Sequence, residues 1–581
     1  MPKRMPGCRE DDSWFSEAQL AKLAPADEAD TLRSPVPTQM VSNGEYMPYP
    51  QTDKQKRVEA RIAELADTAS KKLGVSRRQF LASTGGMAAA FLAMNEVFGH
   101  FFDVRPVDLF EAQAFAETGA PPSLFVVDDQ LHTIRSSRQG TGLGLRAIAQ
   151  GLPNGSNPQN LPDELGRVHF PWNPALVGLP NVTENFYLVQ FMKDVYLDSQ
   201  VTVGVLSNNT SAAVPGEEGN RPPKNPIESE AGEFLSAPQT AAVRNWVNQI
   251  AGSTRMLAHG QIYPGVVDSV NLEYMQWQID ELKPDSWKGY TSANSAKYDL
   301  DPESLMRRWR MDDEQVAYPM YDLIVRNRHM LKTHPGFFNI CIHKGLSTNA
   351  LPSQPELGHP ADIPKAARDW PELNFVYYHA CIRPGFWVLN ALNDVGSGRL
   401  REGVPDILWS TEFAVTSAPF RNVYAEIGTT FASSVITFPT VCAHLLGQFM
   451  KFMGEDRIVF GSDSVWYGGP QWQIEALWRF EIPDEIRHQY GYPQLTKAAK
   501  RKILGLNSAR LYKLPSASEA SPHGKYKPVP ANYEELITDE LKTIMEFPGY
   551  VADNFSKARK AYQAWGGQPS NTRYGWIRTK V

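Results

Sequence analysis

The chain has 581 residues and a formal net charge of −6, with 42% apolar and 21% charged residues, which is close to an ordinary globular composition. There is no long basic block, so nucleic acid is not an expected partner. Cys8, Cys341, Cys381 and Cys442 lie far apart without C-x-x-C spacing, which argues against a disulfide framework or a zinc ribbon and leaves any metal to His, carboxylate and amide groups.

Residues 1–50 are rich in Pro, Ser, Asp and Glu and read as a loosely ordered arm with one short helical run, Trp14–Leu23. Lys54–Lys72 carries Val58, Ile62, Leu65 and Ala66 at helical spacing. Ser76-Arg77-Arg78-Gln79-Phe80-Leu81 then precedes a small-residue apolar run, Ala82–Phe98, and this resembles a twin-arginine export signal, with Ala112–Ala116 suited to a signal peptidase. Against that, the arginines lie far from Met1 and the run ends at Asn95-Glu96, short of a bilayer span. Two expectations follow: periplasmic export, or a cytoplasmic protein that keeps a buried helix here. No stable transmembrane span is expected.

From residue 121 to 514 short apolar strands alternate with helices. The first strand spans Leu124 to Val127 and runs into Asp128, Gln130 and His132, whose alternate spacing puts them on one face of an extended chain. A helix at 184–197 and a strand at Val201–Leu206 follow, then a Pro/Gly/Glu-rich surface loop, Thr210–Ser236. The series continues with a strand Met256–His259, a helix Leu272–Leu282, a strand Trp287–Tyr290 and a helix Met320–His329. Strands Asn339–His343, Phe375–His379, Val423–Ile427 and Ile458–Phe460 come next, and a helix Leu495–Tyr512 closes the run. Eight such units imply a parallel sheet with right-handed crossovers, an α/β fold of the (β/α)8 TIM-barrel type with insertions. A doubly wound sheet would want a Gly-rich phosphate turn after the first strand, and none is present. The expected organisation is an N-terminal extension, 1–120, the barrel, 121–514, and a C-terminal strap, 515–581, containing a helix Tyr533–Met545. The two long arms suit a homo-oligomer.

Gln130 and His132, His343, His379 and Asp463 stand at strand ends, and barrel strand ends converge on one mouth. Imidazoles and a carboxylate with an open position suit a catalytic divalent metal. The order Asp-x-x-x-His after strand one, His after strands five and six, and Asp after strand eight resembles the amidohydrolase superfamily. The likeness is nearest to the amidohydrolase-2 branch, which also contains non-oxidative decarboxylases. Arg457–Asp463 is similar to that branch's last strand and Lys502–Tyr512 to its last helix.

The resemblance implies that His132, His343 and Asp463 bind the metal. It also implies that His379 stands near the activated water or the substrate oxygen and that Asp463 takes the proton from that water. Gln130 replaces the first histidine of a His-x-His pair, which leaves open whether it is a ligand and whether the ion is zinc, the first expectation, or manganese or iron. Lys288 occupies the place where binuclear relatives carry a carbamylated lysine; it is read here as a lysine with a solvated head, so one metal is expected. Arg383 is a candidate clamp for a substrate carboxylate, with a structural ion pair as the alternative. Trp466, Tyr467 and Trp472 are candidate walls of an aromatic substrate pocket. Glu426 points either to the mouth or to a salt bridge.

The leading functional expectation is a metal-dependent hydrolase acting on a C–N, C–O or activated C–C bond of a small aromatic or carboxylated molecule. The alternatives are a metal-dependent non-oxidative decarboxylase on the same site and a non-catalytic binding protein with a decayed metal site.

Overall fold

The computed structural model describes residues 34–36, 52–121, 123–135, 188–208, 214–216, 219–221, 225–231, 233–251, 254–291, 309–345, 357–383, 387–464 and 469–514. Eight parallel strands pair in sequence order: β1 (Val127–Leu131), β2 (Val203–Leu206), β3 (Met256–Gln261), β4 (Ser286–Tyr290), β5 (Asn339–His343), β6 (Asn374–Tyr378), β7 (Val423–Glu426) and β8 (Ile458–Val459). The chain beyond β8 bonds back to β1, with Asp129 N donating to Phe460 O at 2.9 Å, Asp463 N to Gln130 O at 3.0 Å, and a parallel bridge joining Leu131 and Ser464. Helices lie between successive strands, as in a TIM barrel.

Each expected strand has a counterpart, but the first is displaced. The strand is Val127–Leu131, not Leu124–Val127, so Asp128, Asp129 and Gln130 lie inside it and only His132 follows its end. Its pairing with β2 is irregular between Asp128 and Leu131, and such a bulge breaks strict side-chain alternation. Asp128 Oδ1 accepts the Ser462 amide at 2.8 Å and ties β1 to the turn after β8.

The polar content of β1 is tolerated because the barrel interior carries partners. Tyr378 OH donates to Asp129 O and contacts His259 Nε2 at 2.9 Å; His259 Nδ1 lies 2.7 Å from Ser286 Oγ, which reaches Tyr512 OH at 3.2 Å. Burial raises the Asp129 carboxyl to about 7, against a lowering hydrogen bond from Tyr512 and the charge of Lys288. Lys288 does not have a solvated head: it is 1% exposed, with its ammonium 3.8 Å from the centre of the Tyr378 ring. The barrel interior and the rings of β4 and β6 surround it, so the long side chain has no path to water. Below this network Phe125, Val127, Val205, Val376 and Tyr512 form an apolar floor.

The segment before the barrel packs onto it. Helix α1 (Asp53–Leu73) starts at a Thr52–Gln55 capping box and ends at Gly74, whose φ of +68° suits a glycine cap. It buries Val58, Ile62, Ala66 and Ala69. After a one-turn helix, Arg77–Leu81, comes α2 (Thr84–Phe98), which buries Ala88 to Met94. Phe91 stacks on Phe102 at 4.7 Å, and Phe102 meets Phe480 of the barrel edge-on at 5.7 Å. Arg77 and Arg78 are exposed. Among the described residues no helix is long and apolar enough to cross a membrane. The arms at Trp14–Leu23 and 515–581 lie outside the described residues.

Candidate metal and catalytic site

The carboxyl ends of β1, β5, β6 and β8 carry the expected residues, all buried. His132 Nε2 lies 3.1 Å from Asp463 Oδ1 and 3.3 Å from Gln130 Nε2, so an imidazole, a carboxylate and an amide meet at one point. Beside them His379 Nε2 lies 3.2 Å from His343 Nδ1, with the two rings edge to face at 4.5 Å. Tyr290 stacks on His343 at 4.7 Å. Trp466 and Tyr467 lie outside the described residues. Trp472 is buried on the helix Gln471–Arg479, and Arg383 Nη2 pairs with Asp394 Oδ2 at 3.2 Å.

The backbone at this site is strained. His379, Ala380 and Cys381 form a left-handed turn with φ of 65°, 47° and 55°, and Asp463 has φ of 56°. Left-handed conformations cost non-glycine residues roughly 1–2 kcal/mol each, and persist only where the surroundings over-determine them, commonly at functional sites. Here Glu426 Oε2 accepts the His379 amide at 3.1 Å, and Thr430 Oγ1 donates to His379 O at 2.6 Å. Thr429 Oγ1 donates to Asp463 Oδ2 at 2.6 Å. Both threonines lie in the first turn of α3 (Gly428–Thr437), whose ten residues are all buried. Glu426 therefore faces the mouth without a salt bridge among the described residues, held by the amides of His379 and Gly428.

Electrostatics separates the groups. Burial lowers His132 below the usual histidine range, although Asp463 pulls the other way, and burial lowers His379 to about 3. Both imidazoles are neutral near pH 7, as a metal ligand or hydrogen-bonding base must be. Burial tends to raise Asp463, but its hydrogen bonds with His132 and with the Thr429 hydroxyl act against this, and it lies below the ordinary carboxylate range. Burial raises Glu426 well above its usual range, and the charges of Asp463 and Asp129 add to the rise.

The donor set suits a divalent cation: neutral imidazole, an ionised carboxylate, and the buried Gln130 Oε1, which has no hydrogen-bond partner. Among the described residues no three His, Cys, Asp or Glu side chains are gathered to hold an ion; the third head beside His132 and Asp463 is the Gln130 amide. Sequence reading did not single out Asp129, Thr429 or Thr430. The only signal for the threonines was two hydroxyl residues directly after the glycine that follows β7, Gly428-Thr429-Thr430.

Residues 296–514 match the family model for amidohydrolases, Amidohydro_2. No curated protein sequence matches the chain significantly. Among solved structures, an uncharacterized TIM-barrel protein from Bordetella bronchiseptica is 16% identical, with 68% of this chain and 100% of that chain covered and a TM-score of 0.38. A 5-carboxyvanillate decarboxylase from Sphingomonas paucimobilis is 15% identical over 67% of this chain and 99% of that chain, at a TM-score of 0.33. A 2,6-dihydroxybenzoate decarboxylase from Rhizobium is 14% identical over 67% and 99%, at 0.31.

Proposed function

We propose that this chain, an amidohydrolase-family enzyme by its residues 296–514, hydrolyses a small aromatic or carboxylated substrate at the barrel mouth with one divalent cation. The observation that carries this reading is that Asp463 and Gln130 both meet His132 Nε2, at 3.1 and 3.3 Å, beside the His343–His379 pair. His132 and Asp463 would hold the ion with the Gln130 amide oxygen beside them, and His343, which pairs with His379, is proposed as the further ligand, with zinc as the first choice of metal. When bound, the ion supplies Lewis acidity, which brings the pKa of water to near 7.

The chain's own residues do the rest. Asp463, ionised at neutral pH, accepts the proton of the attacking water as general base. Thr429 fixes the orientation of that carboxylate through Oδ2, leaving Oδ1 on the His132 side. Neutral His379 donates a hydrogen bond to oxygen as negative charge develops on the substrate, which is worth most in a buried site. Arg383, Trp466 and Tyr467 are the candidates for substrate contact; Arg383 would take a substrate carboxylate only by leaving or sharing its pairing with Asp394.

Reaction in H2(18)O with a panel of aromatic acids, amides and lactones tests the reading. Hydrolysis places the label in the product. Release of CO2 with no label in the organic product would replace hydrolysis by non-oxidative decarboxylation. No turnover of any compound together with no bound metal would leave a non-catalytic binding protein.

A further inference from the structure

We propose that Glu426, Thr429 and Thr430 form a positioning clamp, built on the end of β7 and the start of α3, that sets the orientation of both His379 and Asp463. The inference rests on the roles proposed above for those two residues. Both sit in left-handed backbone, a conformation their own side chains disfavour, so something outside each turn must hold it.

Three hydrogen bonds from one five-residue stretch reach these residues, two at the His379 backbone and one at the Asp463 carboxylate. The Glu426 carboxylate bridges two amides, accepting from His379 N through Oε2 at 3.1 Å and from Gly428 N through Oε1. Thr430 Oγ1 holds the carbonyl of the same histidine at 2.6 Å, so both polar backbone groups of His379 are bound to this stretch. Thr429 Oγ1 holds Asp463 Oδ2 at 2.6 Å. The stretch is itself fixed, because Ile427 N donates to Val459 O of β8 at 3.1 Å. Space is matched too. A Cβ at Gly428 would come within 2.7 Å of Glu426 Oε1, and one at Gly461 within 2.4 Å of the same atom. Successive residues 429 and 430 thus address the turns after β6 and β8, so one helix start ties the His379 backbone to the Asp463 carboxylate, while Gln130 O holds the Asp463 amide from β1.

None of the three residues is required to touch substrate; each acts through the residue it holds. Groups that orient ligands and bases in this way change metal affinity or activity by about 10–100-fold when lost. Two measurements on the full-length chain test the clamp. In the first, Zn2+ affinity is measured by chelator competition for wild type, Thr429→Val and Thr429→Ser. The valine variant is expected to bind about 10–100-fold more weakly, and serine, which keeps the hydroxyl, to stay within about threefold of wild type. Equal affinity of wild type and the valine variant, or failure of serine to restore it, overturns the assignment to Asp463.

The second is hydrogen exchange over residues 376–383 in Thr430→Val and Glu426→Gln. The expected result is faster exchange confined to the amides of 379–382. Unchanged exchange, or a uniform rise over the whole barrel, overturns the assignment to His379. A wild type that takes up no Zn2+, Mn2+ or Fe2+ would defeat the proposed metal-dependent function and the Asp463 arm with it, while the exchange measurement still decides the His379 arm.

Discussion

Arg479→Met breaks the contact that joins the N-terminal extension to the barrel. Arg479 ends α4 (Gln471–Arg479) and is fully buried. Its guanidinium pairs with Glu475 at 2.7 Å and donates to Asp103 O at 2.8 Å, Thr118 Oγ1 at 2.9 Å and Phe115 O, while lying 3.8 Å over the Phe115 ring. Glu475 in turn accepts the Ala120 amide at 3.2 Å. Methionine keeps most of the volume but strands the Glu475 carboxylate and three acceptors in the interior. Removing one partner of such a buried pair costs about 3–5 kcal/mol. Urea denaturation, read as a fall in midpoint at constant slope, measures it, and limited proteolysis should show new cleavage within 99–120.

The origin of the cost is open to a second variant. Arg479→Met combined with Glu475→Gln replaces the stranded charge by a neutral amide and should recover about 1–2 kcal/mol. A loss below about 1 kcal/mol for the single variant, or no recovery in the double, would refute the reasoning. The same helix reaches the candidate site, since Gln473 Nε2 donates to Ser462 O at 2.8 Å next to Asp463. The extension is thereby continuous with the turn that carries the proposed base.

The remaining predictions are independent of that one. Because α2 and residues 99–120 are packed on the barrel, intact-mass measurement of the protein from its own cells should find residues 84–120 retained; a mature chain beginning near residue 117 would contradict this. Burial lowers His444 to about 4, so between pH 6.5 and 4 the unfolded chain binds a proton the folded one does not, and stability falls as pH falls through that window. The loss amounts to about 2 kcal/mol at pH 5, and His444→Gln should flatten the slope of unfolding free energy with pH there; an unchanged slope would assign the acid sensitivity elsewhere. Gly345 has φ of +98°, and a Cβ there would stand 2.4 Å from Ile382 O beside the left-handed turn. Gly345→Ala should cost at least about 2 kcal/mol, and an unchanged urea midpoint would show that the turn yields easily.

The barrel was legible because its strands are short apolar runs separated by helix-length segments, and both periodicities survive in a single sequence. What sequence hid is where one strand's local preference yields to its neighbours. Asp128-Asp129-Gln130 reads as a polar extension past the strand, yet it pairs as β1 because Ser462, Tyr378 and Tyr512 donate hydrogen bonds to its oxygens from across the barrel. Lys288 reads as solvated for the same reason: its aromatic partner Tyr378 is two strands away. The expected helix ends at Leu197 and Leu282 are kept, but Leu188–Met192, Val270–Trp277, Pro439–Gln448 and Lys497–Arg501 each widen into a π-type turn that no local signal marks.

The candidate site was legible as residue types at strand ends. Its support was not: the left-handed turn at His379–Cys381 contains no glycine to announce it, and Thr429 and Thr430 belong to no motif.

The central claim, a divalent cation held by His132, His343 and Asp463, is tested most directly by elemental analysis of the purified chain and its His132→Ala, His343→Ala and Asp463→Asn variants. The account predicts one divalent ion per wild-type chain and its loss from each variant, with circular dichroism unchanged. No stoichiometric metal in wild type, or metal content unaltered in the variants, would contradict it.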